Sequence, residues 1–295
     1  MLARRDFLGG VGSAALATLT PAPAGSQTDS PFGGEPFARA IRAAEAEGGG
    51  RLGVAVLDGE TGKRFAWRGD ERFPFASTFK FVLAAGVLAE VDRGRERLDR
   101  RIPIAGSDLV EYAPVTGKHV GAGLTIAELC EATMVWSDNP AANLLLPIVG
   151  GPAGLTEFAR GIGDDRFRLD RIETALNEAT PGDPRDTTTP LAMLGGLDRL
   201  LLGAALSPAS RQRLTDWLVA CRTGDQRIRA GLPKDWRCGD KTGTGGHGTT
   251  NDIAILWPSA RRPILVASYL TETTASSDAR NAALAAGRAI AAAFA

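Results

Sequence analysis

The β-rich segments of this chain lie at its two ends, and that separation is the strongest constraint on its fold. Residues 52–57 alternate about Val54 and Val56, and Asp58-Gly59 and Thr61-Gly62 supply turn signals. Residues 63–68 then return with Phe65 and Trp67 on one face, which predicts a hairpin. Three further β-rich runs, 237–241, 252–257 and 264–270, come near the C-terminus. Between the two groups, apolar periodicity predicts helices over 78–90, 125–136, 141–149, 154–161, 187–202 and 207–222. Asn139-Pro140 reads as a cap followed by proline at the first helical position of the third. A helix over 35–47, stopped by Gly48-Gly49-Gly50, and an alanine-rich helix over 271–295 flank the strands. A sheet divided in this way must be assembled from both termini. The expected architecture is an α/β unit built from residues 32–68 and 223–295, with an all-helical unit, 69–222, inserted between them.

Charge narrows the choice of partner. Lysine plus arginine equals aspartate plus glutamate at 34 each, which excludes nucleic-acid binding through a basic surface. Residues 1–24 read as an export signal. Arg4-Arg5 precedes a short, weakly apolar Gly/Ala-rich run, which ends at Ala22-Pro23-Ala24. The paired arginines resemble a twin-arginine signal, whose cargo is exported folded. The expected location is therefore periplasmic or secreted after cleavage, with no membrane attachment of the mature form. Cys130, Cys221 and Cys238 are too few and too far apart for zinc-finger spacing, and His119 and His247 are the only histidines. The chain is expected to need no metal or cofactor, and whether Cys221 and Cys238 pair stays open.

Three short motifs carry candidate chemistry. In Ser77-Thr78-Phe79-Lys80, one helical turn places the lysine beside the serine, among apolar neighbours. A lysine desolvated there loses basicity and can accept a proton from the serine; otherwise the tetrapeptide is an ordinary capped helix. Ser137-Asp138-Asn139 offers a hydroxyl and an amide at a helix junction, or simply a cap. Lys241-Thr242-Gly243-Thr244 places a cation and hydroxyls at a strand end, suited to an anion, or forms a glycine-rich turn.

Together, S-x-x-K, S-D-N and K-T-G in this order resemble the class A serine β-lactamases and the penicillin-binding proteins. The resemblance to class A is extensive. Arg171-Ile172-Glu173-Thr174-Ala175-Leu176-Asn177 matches the omega-loop motif, Asp186-Thr187-Thr188-Thr189-Pro190 its exit, and Asn251-Asp252-Ile253-Ala254 the strand after K-T-G. It implies a five-stranded antiparallel sheet with flanking helices beside an all-helical domain, with the omega loop over 168–186. It also implies hydrolysis of a small β-lactam by a monomer. Ser77 would attack the lactam carbonyl, with the Ser77 and Thr244 backbone N–H groups as oxyanion hole. Lys80 and Glu173 would share the proton work of acylation, and which is the base stays open. Ser137 would relay a proton to the leaving nitrogen, and Asn139 would bind the acylamide. Glu173 and Asn177 would hold and deprotonate the hydrolytic water. Lys241, Thr242 and Thr244 would bind the drug carboxylate, and Tyr112 would sit at the cleft rim. Arg171 and Asp186 would close the loop's neck.

The departures are specific. Ala76 and Gly245 stand where some relatives have a disulfide, and Ala84 stands opposite Cys130 where others have a second. Many relatives also carry an arginine at the position of Thr250. The stretch Thr223–Arg229 resembles members that supply it from there, which points to Arg227, with Arg229 as the alternative. Two other readings share the three motifs: a penicillin-binding D,D-peptidase and a non-catalytic β-lactam sensor.

Overall fold

A computed structural model of the chain describes residues 32–259, 261–284 and 287–294. The expected export signal lies outside them. Helix α1 (Glu35–Gly48) is followed by β1 (Arg51–Asp58) and β2 (Arg64–Trp67). The helices α2 (Phe79–Asp92), α3 (Ile126–Val135), α4 (Asn139–Leu145), α5 (Gly151–Gly161), α6 (Pro190–Leu197) and α7 (Pro208–Val219) come next. The chain ends with β3 (Arg237–Thr244), β4 (Thr250–Trp257), β5 (Ile264–Thr271), α8 (Ser277–Leu284) and α9 (Gly287–Phe294).

The strands form one antiparallel sheet in the order β2-β1-β5-β4-β3. β1 pairs with β5 along its whole length, Val54 opposite Ser268, so the two ends of the chain are joined at the centre of the sheet. Both faces are covered, and β1, β4 and β5 are therefore buried on both sides rather than alternating. Ala55, Ile253, Ile255 and Ala267 face the core shared with the helices between α2 and α7. Val54, Val56, Ala254 and Val266 face α1, α8 and α9.

Two helical expectations are corrected. The predicted helix over 187–202 begins only at Pro190, because Thr189 is its N-cap, accepting from Ala192 N at 3.2 Å. Thr187-Thr188 instead pair with Phe73-Pro74 as a short ladder. The alanine-rich tail is still strand at Thr271 and becomes helical only from Ser277. The three cysteines are all buried and free, so Cys221 and Cys238 do not pair.

Three features of the frame position the site. α2 is buried on every side over its first eleven residues, as expected of a helix that is apolar all round. Asn251, on β4, donates to the carbonyls of Pro74 and Phe75 at 2.8 and 3.0 Å, clamping the sheet to the segment that enters α2. The loop 168–186 is tied at its neck: Arg171 Nε donates to Asp186 Oδ2 at 2.6 Å, and Asp186 Oδ1 accepts from Asp170 N and Arg171 N at 2.8 and 3.0 Å.

The far side of that loop rests on the end of β3. Gly246 N donates to Asn177 O at 2.8 Å, and a Cβ added at Gly246 would lie 2.3 Å from Glu178 O. The obstacle is backbone, so a side chain there must push the loop away. Gly246→Ala is expected to lower Tm by roughly 2–12 °C, from an overpacking cost of ~1–3 kcal/mol. Thermal unfolding followed by circular dichroism checks this, and an unchanged Tm contradicts the packing described.

Candidate active site

Where the chain enters α2 it makes a tight turn, Ala76–Thr78, with Ala76 held at φ 43°. A non-glycine residue rarely adopts that conformation. It is held here by the Asn251 clamp and by the Phe75 N–H donated to Asp186 O at 3.2 Å. Ser77 stands at the mouth of the cleft, and Lys80 lies one turn deeper with no exposed surface.

The Lys80 ammonium is surrounded by oxygen. Its Nζ donates to Ser77 Oγ at 3.0 Å, to Ser137 O at 2.8 Å and to Asn139 Oδ1 at 2.6 Å. Glu173 Oε1 lies 2.9 Å away. Burial pushes the Lys80 pKa below the ordinary lysine range, against the opposing pull of Glu173. The sequence left open a lysine reaching for water; the structure places a desolvated one. Glu173 Oε1 also accepts from Ser77 Oγ at 3.3 Å, and its Oε2 accepts from Asn177 Nδ2 at 2.5 Å. A hydroxyl, an amine of reduced basicity and a carboxylate thus share one buried contact.

Ser137-Asp138-Asn139 divides its labour. Ser137, at φ 60°, turns its Oγ between two lysines, 3.0 Å from Lys241 Nζ and 3.4 Å from Lys80 Nζ. The expected cap, Asn139, is not the cap. Asp138 fills that role, accepting from Ala141 N at 2.9 Å, and it also binds Val115 N and Thr116 N at 2.9 Å each. The Asn139 amide is thereby left to bridge Lys80 and Glu111 O, the latter at 2.8 Å.

β3 is an edge strand, and its free side faces Ser77. Gly243 permits the approach: a Cβ there would lie 2.7 Å from Phe75 O and 3.2 Å from Ser77 N. Lys241 is fully buried, and that burial lowers its pKa to about 8. The Thr242 and Thr223 hydroxyls are 2.5 Å apart. Arg227 Nη1 donates to Gly243 O and Asn251 O at 2.9 and 2.6 Å, and its Nη2 to Thr244 Oγ1 at 2.8 Å. Arg229 turns away to pair with Asp240.

Ser77, Ser137, Asn139, Asn177, Thr242 and Thr244 line a cleft of about 800 Å³, with Arg227 on its wall and Tyr112 exposed on its lining. Lys80, Glu173 and Lys241 stand buried behind it. A larger cleft of about 900 Å³ lies between α2 and α5, but its lining holds no serine, cysteine, lysine or histidine. The structure thus brings together the candidate residues read from the sequence, apart from Arg229, the alternative to Arg227. Sequence reading missed Asn143, whose amide holds the backbone N and O of Glu173, both at 2.9 Å. It is four residues after Asn139, one turn along the same helical face, and that spacing was a usable signal. Thr223, beside Thr242, carried no such signal.

Comparison with known proteins agrees with this geometry. The family model of the β-lactamase enzyme family matches residues 36–294. The chain is 46% identical over 292 residues to β-lactamase L2 of Stenotrophomonas maltophilia, covering 97% of this chain and 96% of that protein. It is 48% identical over 246 residues to β-lactamase CTX-M-8 of Citrobacter amalonaticus, covering 83% and 84%. Among solved structures, an ancestral (GNCA) class A β-lactamase is 65% identical with a TM-score of 0.87, covering 88% of this chain and all of that one. With Ser77, the buried Lys80 and the loop carboxylate of Glu173 in one constellation, the chain belongs to the β-lactamase enzyme family, in its serine-dependent class A.

Proposed function

We propose that this protein hydrolyses the β-lactam amide of penicillins and cephalosporins through an acyl-enzyme on Ser77, and so confers resistance to these drugs. The observation that carries the reading is the contact of Glu173 with Ser77 Oγ, its carboxylate held by Asn177 and its backbone by Asn143. A D,D-peptidase or an acylate-once sensor has no need of a second base beside the nucleophile. Nothing in the site favours either.

Acylation begins with Ser77 Oγ attacking the lactam carbonyl. Its proton passes to Lys80 or Glu173, which both touch the hydroxyl. The negative charge that develops on the carbonyl oxygen is received by the backbone N–H groups of Ser77 and Thr244, each donor worth roughly 2.7–4 kcal/mol. Ser137, between the two lysines, hands its proton to the departing lactam nitrogen as the C–N bond breaks and regains one from Lys80, so the proton taken from Ser77 ends on the nitrogen. Asn139 binds the drug's acylamide, and Tyr112 borders the entrance. In the second step Glu173, oriented by Asn177, takes a proton from water as the water oxygen bonds to the acyl carbon, and the proton passes back to Ser77 Oγ as the ester C–O bond breaks. The Lys241, Thr242, Thr244 and Arg227 side chains hold the drug's carboxylate. The catalytic groups come from both 69–222 and the sheet-forming unit, 32–68 with 223–295, so the site lies along the proposed seam of the two. The enzyme is read as a monomer acting in the periplasm or outside the cell; among the described residues no helix is long and apolar enough to cross a membrane.

Two variants separate the steps. Ser77→Ala is expected to take up no penicillin adduct. Glu173→Ala is expected to acylate and then stall, with turnover lower by roughly 10²–10⁴-fold. Mass spectrometry of each variant with benzylpenicillin reads both results. An adduct on Ser77→Ala, or parental turnover by Glu173→Ala, contradicts the mechanism.

The lowered pKa of Lys241 sets a pH limit. Its cation is present below about pH 8 and is lost as pH rises through that value. The kcat/KM for benzylpenicillin is therefore expected to decline on the basic side of about pH 8. A profile flat to about pH 10 would show that the Lys241 charge does not contribute.

Arg227→Ala removes the cation at Thr244. Loss of a charged hydrogen bond costs ~1.5–3 kcal/mol, a drop of roughly 10–150-fold in kcat/KM. Steady-state kinetics on penicillins measure this, and a drop under about threefold would show that Arg227 serves only the fold.

A further inference from the structure

Behind Arg227 lies a buried group of charges that the reaction does not use. Asp240 on β3 and Asp252 on β4 have no exposed surface. Asp240 is opposite Ala254, two residues from Asp252, so both carboxylates leave the same face of the sheet as diagonal neighbours. The segment 225–231 covers them. Arg229 pairs with Asp240 Oδ1, and Ile228 N donates to Asp252 Oδ2 at 3.1 Å. The remaining oxygens, Asp240 Oδ2 and Asp252 Oδ1, are buried and accept no hydrogen bond. Gly224 seals the first: a Cβ there would lie 1.7 Å from Asp240 Oδ2.

Two buried carboxylates with unanswered oxygens cannot both remain ionised cheaply, and one shared proton satisfies both. The other charged or titratable groups facing them do not supply it. Arg227 and Arg229 come from the covering segment, and Asp225 lies at the exposed side of Arg229. Arg280 faces Arg227 from α8. The Cys221 and Cys238 thiols are pushed up by burial and stay neutral. Lys241 stands on the opposite face of β3. Burial, and then the Asp240 charge, push the Asp252 carboxyl well above the usual carboxylate range.

We propose that Asp252 is a protonated acid that shares its proton with Asp240, so that the pair carries one negative charge against two arginines. The positive charge left over is presented by Arg227, whose Nη2 reaches the cleft at Thr244. Were both aspartates ionised, the arginines would be fully compensated from behind and would attract a substrate carboxylate less. Asp252 is thus a positioning residue for the drug-binding cation, and this assignment rests on the reading of Arg227 given above.

The test is infrared spectroscopy of the intact enzyme in D2O near neutral pH, with and without carboxyl-13C aspartate. The parent is expected to show the carbonyl stretch of a protonated carboxylic acid that shifts on aspartate labelling. Asp252→Asn should remove it. Asp240→Asn should shift its frequency, although Asp252 is still present and buried, because the proton is then no longer shared with a second carboxylate. Stability supplies a second measurement. A raised native pKa means that the acid's contribution is present below the unfolded pKa and is lost as pH rises through the folded one. Asp252→Asn should therefore gain in Tm relative to the parent as pH rises above the ordinary carboxylate range. An aspartate band absent from the parent, a band that persists unchanged in Asp240→Asn, or a Tm difference that does not grow with pH overturns the proposal. Should a variant fail to fold, the label-sensitive band of the parent alone decides. Failure of the Arg227 reading has a different signature: the band is present, yet Arg227→Ala leaves kcat/KM unmoved.

Discussion

The site is organised around one desolvated cation. Lys80 sits in an apolar helix that is buried on all sides, where an unpaired ammonium would be prohibitively costly. Ser77, Ser137, Asn139 and Glu173 supply the accepting oxygens that make its burial tolerable, and they come from three separate segments of chain. The ion pair with Glu173 is poor evidence of stability, because the desolvation penalty of such a pair rivals its attraction. Its consequence is chemical. An ammonium of weakened basicity and a carboxylate, both in contact with one hydroxyl, can exchange protons at little cost.

That arrangement makes demands on the rest of the fold. Ser77 must approach the edge of the sheet closely, which needs Gly243 on β3 and the left-handed backbone at Ala76. Glu173 must reach the same point from a loop with little regular structure. The loop is held at its neck by Arg171 and Asp186, against β3 by Asn177 and Gly246, at the Glu173 backbone by Asn143 and at its carboxylate by Asn177. Polar contacts with backbone groups, rather than apolar packing alone, therefore set the position of this carboxylate. A second tier of buried charge, Asp240 and Asp252 with Arg227 and Arg229, stands behind the strand and bears on the cation that faces the cleft.

Much of this was legible in the sequence because its motifs are local. S-x-x-K fixes a serine and lysine on one helical face whatever the tertiary context, and a strand-forming run split between the chain ends admits few sheets. The antiparallel five-stranded sheet and the arginine at position 227 follow the resemblance to class A, including the departure at Thr250. Boundaries were less legible. The helix expected from residue 187 begins at Pro190, since Thr187 and Thr188 are drawn into pairing with Phe73 and Pro74. The cap expected at Asn139 belongs to Asp138, since Lys80 and Glu111 claim the asparagine.

The sequence by itself thus determined the order of elements, the family and the candidates for the reacting groups, all properties of short segments and their spacing. The tertiary structure decided what depends on several segments meeting. It decided that Lys80 is buried rather than exposed, because α2 passes through the middle of the core. It decided that Arg227 rather than Arg229 faces Thr244, because Asp240, earlier on the same strand, draws Arg229 away. It also brought Asn143 and Thr223 into the site, and placed two aspartates, twelve residues apart in the chain, side by side on one buried face. Desolvation is the common reason: the energy of each of these groups depends on what excludes water from it, and no local pattern records that.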